Sequence, residues 1–327
     1  MTDQPAGQAA AGLTFGLWAV WRGSGTDERL RYSYFSDGYW QPSPRLLPAA
    51  EVPGSGCTPA LALFGGTLLL AYRGARINRQ IWTTSSADGA IWTPQRAAGT
   101  TLMTDVAPAM IVAHGVDGRL WLAWHGSGDR PWWSSSSDGI RWAPGQAVTS
   151  PAPEVPSPAT TTTPALAVRD GIVYMAGTGT DGRVWWTFNS DGTGSGWAPP
   201  GVLDTVDGQP VRSNAAPALA AYGGTLYLAW QYPTGDIAMI SYDGQWGNFQ
   251  QVEPPDTDVG PGSLSSPSLG VFRDPDDSGD DQLCLAWGSL TGGLYYASTP
   301  DGKTWSYGSI PGGPGPGQPQ PPALLGI

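Results

Sequence analysis

A short phrase recurs through this chain and then appears once more at its end. A small or hydroxyl residue, a proline and a brief apolar run read "TPALALF" from Thr58, "APAMIVA" from Ala107, "TPALAVR" from Thr163, "APALAAY" from Ala216 and "SPSLGVF" from Ser266. Their starts lie 49, 56, 53 and 50 residues apart. The last seven residues, "PPALLGI" from Pro321, repeat the phrase 55 residues after Ser266. Self-similarity at a fixed period of this size marks a repeat architecture, in which each unit buries its faces against its neighbours.

Three further phrases follow each copy. An apolar segment ("TLLLAYRG", "RLWLAWHG", "GIVYMAGTG", "TLYLAWQY", "QLCLAWGS") precedes an aromatic one ("IWTTSS", "PWWSSSS", "VWWTFNS", "LYYASTP"). A turn then leads to a tryptophan ("DGAIW", "DGIRW", "DGTGSGW", "DGQW", "DGKTW"). Asp-Gly suits a tight hairpin because both residues tolerate positive φ. The unit is therefore four short antiparallel strands, A to D, in about fifty residues, the size of a β-propeller blade. Blades are covered on both faces, which explains consecutive apolar residues such as Trp132-Trp133 and Trp185-Trp186 where a half-exposed strand would alternate.

Residues 13–46 contain strands B, C and D of a unit whose strand A is missing. "PPALLGI" supplies it, so the C-terminus closes a ring of six blades and leaves no unpaired edge. The predicted blades span 12–50 plus 321–327, 57–100, 106–150, 162–206, 215–256 and 265–312, with a flexible segment at 1–11. The 47 glycines and 32 prolines act as punctuation between strands.

A net charge of −11 argues against nucleic acid or an anionic membrane as partner. The start, "MTDQPAGQAAAG", has neither the basic nor the apolar region of a signal peptide. The expectation is a cytoplasmic protein or one exported by a non-classical route. Two cysteines, Cys57 and Cys284, exclude a disulfide framework and read as free thiols.

The hairpins "SADGAIW" from Ser86, "SSDGIRW" from Ser136 and "TPDGKTW" from Thr299 resemble the Asp-box of sialidase-like propellers, one residue shorter before the glycine. The repeats are also similar to those of bacterial and fungal β-propeller lectins. The resemblance implies that Asp88, Asp138, Asp191, Asp243 and Asp301 cap turns away from the ligand. It also places ligands on the face made by B–C loops and D–A linkers, and it implies carbohydrate binding. The Arg-Ile-Pro hallmark of sialidases is absent, and "ARIN" at Ala75 is a partial echo.

The residues that end strand B diverge: Arg22, Arg73, His125, Thr178, Gln231 and Gly288. Divergence at equivalent tips fits one asymmetric site near the axis, or a few non-equivalent ones, better than six equal sites. Arg22, Arg73, Arg76, Arg79, His125 and Arg130 cluster in the first three B–C loops and suggest a positive mouth for a small anionic ligand. Nearby Asp27, Glu28 and Asp129 compete for them. Trp21, Tyr72, Trp124, Trp230 and Trp287 share one strand B position; Trp124, Trp230 and Trp287, with Gln231, are candidate sugar contacts. Gly177 takes that position in blade 4 and suggests a pocket. Asp274, Asp276 and Ser278 resemble the start of a calcium loop but lack its closing glutamate.

No catalytic motif is present: the two histidines, His114 and His125, form no triad, and no nucleophile elbow or phosphate loop occurs. A glycosidase needs two carboxyls about 5–10 Å apart. Asp27, Glu28, Asp129, Asp181 and Asp236 all fall on mouth loops, so an enzyme with a central site remains an alternative, as does a protein-interaction scaffold.

Overall fold

The computed structural model describes residues 12–114, 118–204, 208–247, 249–252, 265–273, 281–289, 292–314 and 321–327. The segment 1–11 and the calcium-like stretch at Asp274, Asp276 and Ser278 lie outside the described residues. The fold is a six-bladed all-β propeller. Blade 2 is β5 (Ala60–Phe64), β6 (Thr67–Arg73), β7 (Ile81–Ser86) and β8 (Arg96–Ala97). Blade 3 is β9 (Ala109–Val112), β10 (Leu120–Gly126), β11 (Arg130–Ser136) and β12 (Gln146–Ala147). Blade 4 is β13 (Ala165–Arg169), β14 (Ile172–Thr178), β15 (Val184–Asn189) and β16 (Gly201–Val202). Blade 5 is β17 (Ala218–Tyr222), β18 (Thr225–Gln231), β19 (Ile237–Tyr242) and β20 (Gln250–Val252). Blade 6 is β21 (Ser268–Arg273), β22 (Asp281–Gly288), β23 (Leu294–Thr299) and β24 (Ser306–Ile310).

Blade 1 joins the two ends of the chain. β1 (Leu17–Arg22) pairs on one side with β2 (Leu30–Ser36) and on the other with β25 (Ala323–Gly326). The register runs Leu17 to Gly326 through Val20 to Ala323, and Gly16 and Ile327 exchange both backbone hydrogen bonds, at 3.2 and 2.9 Å. The outer strand is split into β3 (Tyr39–Trp40) and β4 (Arg45–Leu46), both on β2. Pro42 and Pro44 lie between them, and proline cannot donate to a ladder.

The A strands stand around the axis: β5, β9, β13, β17, β21 and β25 each pack on the next, and β25 returns to β5. Alanines such as Ala60, Ala62, Ala165, Ala167, Ala218 and Ala220 are buried there, where six converging strands leave little room. Each interface between blades holds its own apolar core, six in all. β25 serves two of them, with Leu324 facing blade 6 and Ala323, Leu325 and Ile327 facing blade 2. Between blades 3 and 4, Trp121 lies flat on Trp133 with centroids 4.2 Å apart, and Trp197 meets both edge-on.

The Asp-box turns cap as the resemblance implied in four blades. The Asp88 carboxylate accepts from the N–H groups of Ile91 (2.8 Å) and Ala90 (2.9 Å), and the Ser86 hydroxyl accepts from Gly89 N–H (2.8 Å). Asp138 and Asp301 repeat the pattern, and in blade 4 Asn189 replaces the hydroxyl residue while Asp191 accepts from Thr193 N–H. Asp243 caps no turn among the described residues: its shorter turn shows a bond from its own N–H to the Gln245 carbonyl. Asp37-Gly38 and Asp170-Gly171 have both residues at positive φ; in the boxes the glycine alone does, with the aspartate carboxylate turned back over the chain. Gly89, at φ 74°, also presses on the blade 1 core: a Cβ there would lie 2.4 Å from the Trp18 ring.

These caps predict the acid response. The N–H groups of Ile91, Arg141 and Thr304, each with the preceding N–H, hold Asp88, Asp138 and Asp301 below the usual carboxylate range, Asp301 at about 2. A depressed folded pKa stabilises above the unfolded value and the gain disappears as pH falls through the folded one. The melting temperature should therefore drop between about pH 4 and about pH 2. Asp301→Asn should flatten part of that slope; an identical pH profile would remove Asp301 from the account.

Candidate functional site

The B–C loops and D–A linkers share the end of the ring at which the A strands begin. A hydroxyl turn fastens each linker there. Ser55, Thr104, Thr160 and Ser213, all buried, lie four residues before the recurring proline. Each hydroxyl donates to the carbonyl two residues on and accepts from the N–H of that same residue, as in Ser213 with Ala215 at 3.0 and 3.1 Å. Their own N–H groups donate to B–C loop carbonyls of the preceding blade: Ser55 to Glu28, Thr104 to Arg79, Thr160 to Asp129 and Ser213 to Gly182, at 2.7–2.9 Å. The equivalent linkers entering blades 6 and 1 fall outside the described residues. This motif is visible in the sequence once the residue four before each proline is compared, but its hydroxyls pass for ordinary loop polarity.

The strand B tips serve the same fastening. Arg22 donates from Nε to the Ser55 carbonyl (2.8 Å) and from its two terminal nitrogens to the carbonyls of Gly23 and Gly25. Thr178 donates to the Ala215 carbonyl (2.6 Å), and the N–H of Gly288 donates to Ser265 Oγ (2.9 Å). Arg73 lies so close over Gly56 that a Cβ there would be 2.1 Å from its guanidinium, and it donates to the Arg76 carbonyl. Different side chains thus tie blade ends to linkers, and the divergence that suggested ligand selection has a structural use.

The expected positive mouth is partly paired with carboxylates, while Arg22 and Arg73 donate to neutral carbonyls. Arg76 pairs with Glu28 (3.8 Å), Arg79 with Asp105, and His125 with Asp129 (3.3 Å). Arg29 and Arg31 hold Asp27, and the hydrogen bond from Arg29 chiefly keeps that carboxyl far below its usual range. Arg130, exposed at the start of β11, has no ion pair or side-chain hydrogen bond among the described residues. The five candidate carboxylates are likewise engaged: Asp181 with Arg183, and Asp236 accepting from Thr234.

The strand B tryptophans do not present faces to solvent. Trp124, Trp230 and Trp287 are at most 3 % exposed, inside three different inter-blade cores, and Gln231 is buried beside them. Central strands are covered on both sides, so a ring at this position is packing. Gly177 opens no pocket: Trp185 fills the space, 2.4 Å from where a Cβ would stand. The rings with partly open surface are on strand C, directly opposite. Trp82 faces Tyr72, Trp132 faces Trp124 and Tyr295 faces Trp287 in register. All three are half-buried and pack at the mouth end of the crevices between blades 1 and 2, 2 and 3, and 5 and 6. Trp132 stacks on Trp124 (6.5 Å, 26°) and Tyr295 on Trp287 (6.2 Å, 27°), so the buried ring fixes the outer one. Sequence reasoning points to aromatic residues at the ends of strands B and C but singles out those of strand B, because both strands are aromatic there.

On the axis, the six proline-bearing strand A starts line an open cavity of about 580 Å³. Cys57 lines it but is buried, and burial pushes its thiol up to about 11, so it is no nucleophile. No cluster of His, Cys, Asp and Glu suited to a metal occurs among the described residues.

No family model and no curated protein matches the sequence. Solved structures do match in fold. AofleA from Arthrobotrys oligospora is similar over 98 % of this chain and 92 % of its own, at 13 % identity and a TM-score of 0.62. The Aleuria aurantia lectin, a six-bladed β-propeller described for its fucose recognition, covers 92 % and 94 % at 14 % identity and 0.57. An α-L-arabinanase from Penicillium chrysogenum, complexed with arabinobiose, covers 87 % and 91 % at 13 % identity and 0.56. At these identities the likeness is one of fold: the chain is a six-bladed propeller of the architecture that carries both the lectin and the hydrolase.

Proposed function

We propose that the protein binds carbohydrate without turning it over, in the crevices between blades on the mouth face. The observation that carries this reading is the row of strand C rings, Trp82, Trp132 and Tyr295, half-open at equivalent positions, two of them backed by a stacked strand B ring. A flat aromatic surface flanked by polar loops matches a sugar ring, whose C–H face is apolar and whose rim is hydroxyl. The lectin and the arabinanase of similar fold both carry names that place a sugar on them. Hydrolysis gains no support from Asp27, Glu28, Asp129, Asp181 and Asp236, since a local cation or hydroxyl holds each of them.

The test is an immobilised glycan array read with the wild type and with Trp82→Ala, Trp132→Ala and Tyr295→Ala. A related set of glycans should be retained, and at least one substitution should weaken retention about fivefold or more with the far-UV spectrum unchanged. A blank array, or retention indifferent to all three, would overturn the reading.

A further inference from the structure

The axial cavity is distinct from the rim crevices, and its wall is two-sided. Blades 4, 5 and 6 contribute Thr161, Thr162, Asn214 and Ser266, a contiguous polar arc. Blades 1, 2 and 3 face it with Pro322, Pro59 and Val106, and with Thr58 and Asp105, whose polar groups are engaged. The prolines recur around the ring as Pro164, Pro217 and Pro267, but the unpartnered polar side chains do not.

The polar arc has capacity left over. Thr161 and Asn214 are exposed, and their side chains have no partner among the described residues. The buried hydroxyl of Thr162 has none either. Ser266 Oγ accepts from Ala216 N–H at 3.0 Å, and its own hydrogen meets no acceptor among the described residues. The hydroxyls around them are spent: Thr163 donates to the Ala107 carbonyl and Thr58 to the Pro321 carbonyl, both at 2.8 Å. The one charged side chain on the described wall, Asp105, is engaged by Arg79.

We propose that this cavity is a separate site for one neutral, monosaccharide-sized polyol with an apolar face. Its hydroxyls meet the arc of blades 4 to 6, and its C–H face lies against the prolines and Val106. The volume lies in the roughly 300–1,000 Å³ range of small-molecule pockets. The described wall offers no unpaired charge to hold an anion or a cation. The two-sided wall admits one orientation, so one molecule binds per chain. None of this depends on the rim reading.

The probe is a set of methyl glycosides (α-L-fucoside, β-D-galactoside, α-L-arabinofuranoside) with methyl β-D-glucuronide as the anionic control. They are titrated into ¹⁵N-labelled full-length protein while the Asn214 side-chain amide is followed by NMR, its signal assigned by Asn214→Leu. At least one neutral glycoside should move that signal saturably. Thr161→Val with Thr162→Val should weaken the binding about tenfold and leave glycan-array retention unchanged. An Asn214 amide that no neutral glycoside moves, or that only the glucuronide moves, would overturn the proposal. So would an affinity indifferent to the double substitution. A blank glycan array alongside a moving Asn214 signal would remove the rim sites and leave the axial one standing.

Discussion

A chain ending at Gln320 should lose its cooperative fold. Truncation strips β1 of its inner partner and removes the acceptors of two hydroxyls, the Pro321 carbonyl for Thr58 and the Pro322 carbonyl for Ser268. It also opens two cores at once, because β25 faces blade 2 on one side and blade 6 on the other. Leu324, Leu325 and Ile327 are half-buried, so each contributes about 1 kcal/mol, less than the 1.5–3 kcal/mol of a fully buried side chain. Each lost ladder hydrogen bond adds about 1 kcal/mol. The sum reaches the scale of a domain's whole stability, about 5–15 kcal/mol. Leu17, Trp18, Ala19 and Val20, now almost wholly buried, would form an apolar open edge, which invites association. The expected result is a melting temperature lower by about 15 °C or more, or no transition at all. A synthetic peptide of the last seven residues should restore part of the loss. An unchanged melting temperature would mean that the ring does not need its closing strand.

Trp121→Ala should be the most damaging single substitution in the blade 3–4 interface. The ring is fully buried, flat against Trp133 and at the edge of Trp197. Truncating a buried tryptophan costs about 3–5 kcal/mol, part transfer and part cavity. The stacked and edge-on contacts add about 0.5–1.5 kcal/mol per pair. Trp121→Phe keeps an aromatic face on Trp133 and should cost clearly less. Urea denaturation measures both. A loss under about 1 kcal/mol for the alanine variant would show that the neighbouring blades close over the gap.

The ring, its blade count and its closure were legible in the sequence because they rest on backbone periodicity. A proline and an alternating run at each A strand survive whatever decorates the loops, and Pro321 kept the register. The capping role of Asp88, Asp138, Asp191 and Asp301 was legible for the same reason. The site was less legible. Trp124 and Trp132 face one another across two hydrogen-bonded strands, and composition cannot say which is inside; only the order of layers does. Arg22 and Arg73 donate to main-chain carbonyls, and a carbonyl leaves no mark in a sequence.

That last point bears on what can be changed in this molecule. The backbone N–H groups of Ser55, Thr104, Thr160 and Ser213 grip the neighbouring loop by the carbonyls of residues 28, 79, 129 and 182. A carbonyl is common to every amino acid, but Asp129 and Gly182 carry theirs at positive φ, which limits what can replace them. Loops of equal length that keep this backbone path can be grafted while the ring stays latched. Substituting the four hydroxyl residues would loosen loops and ring together.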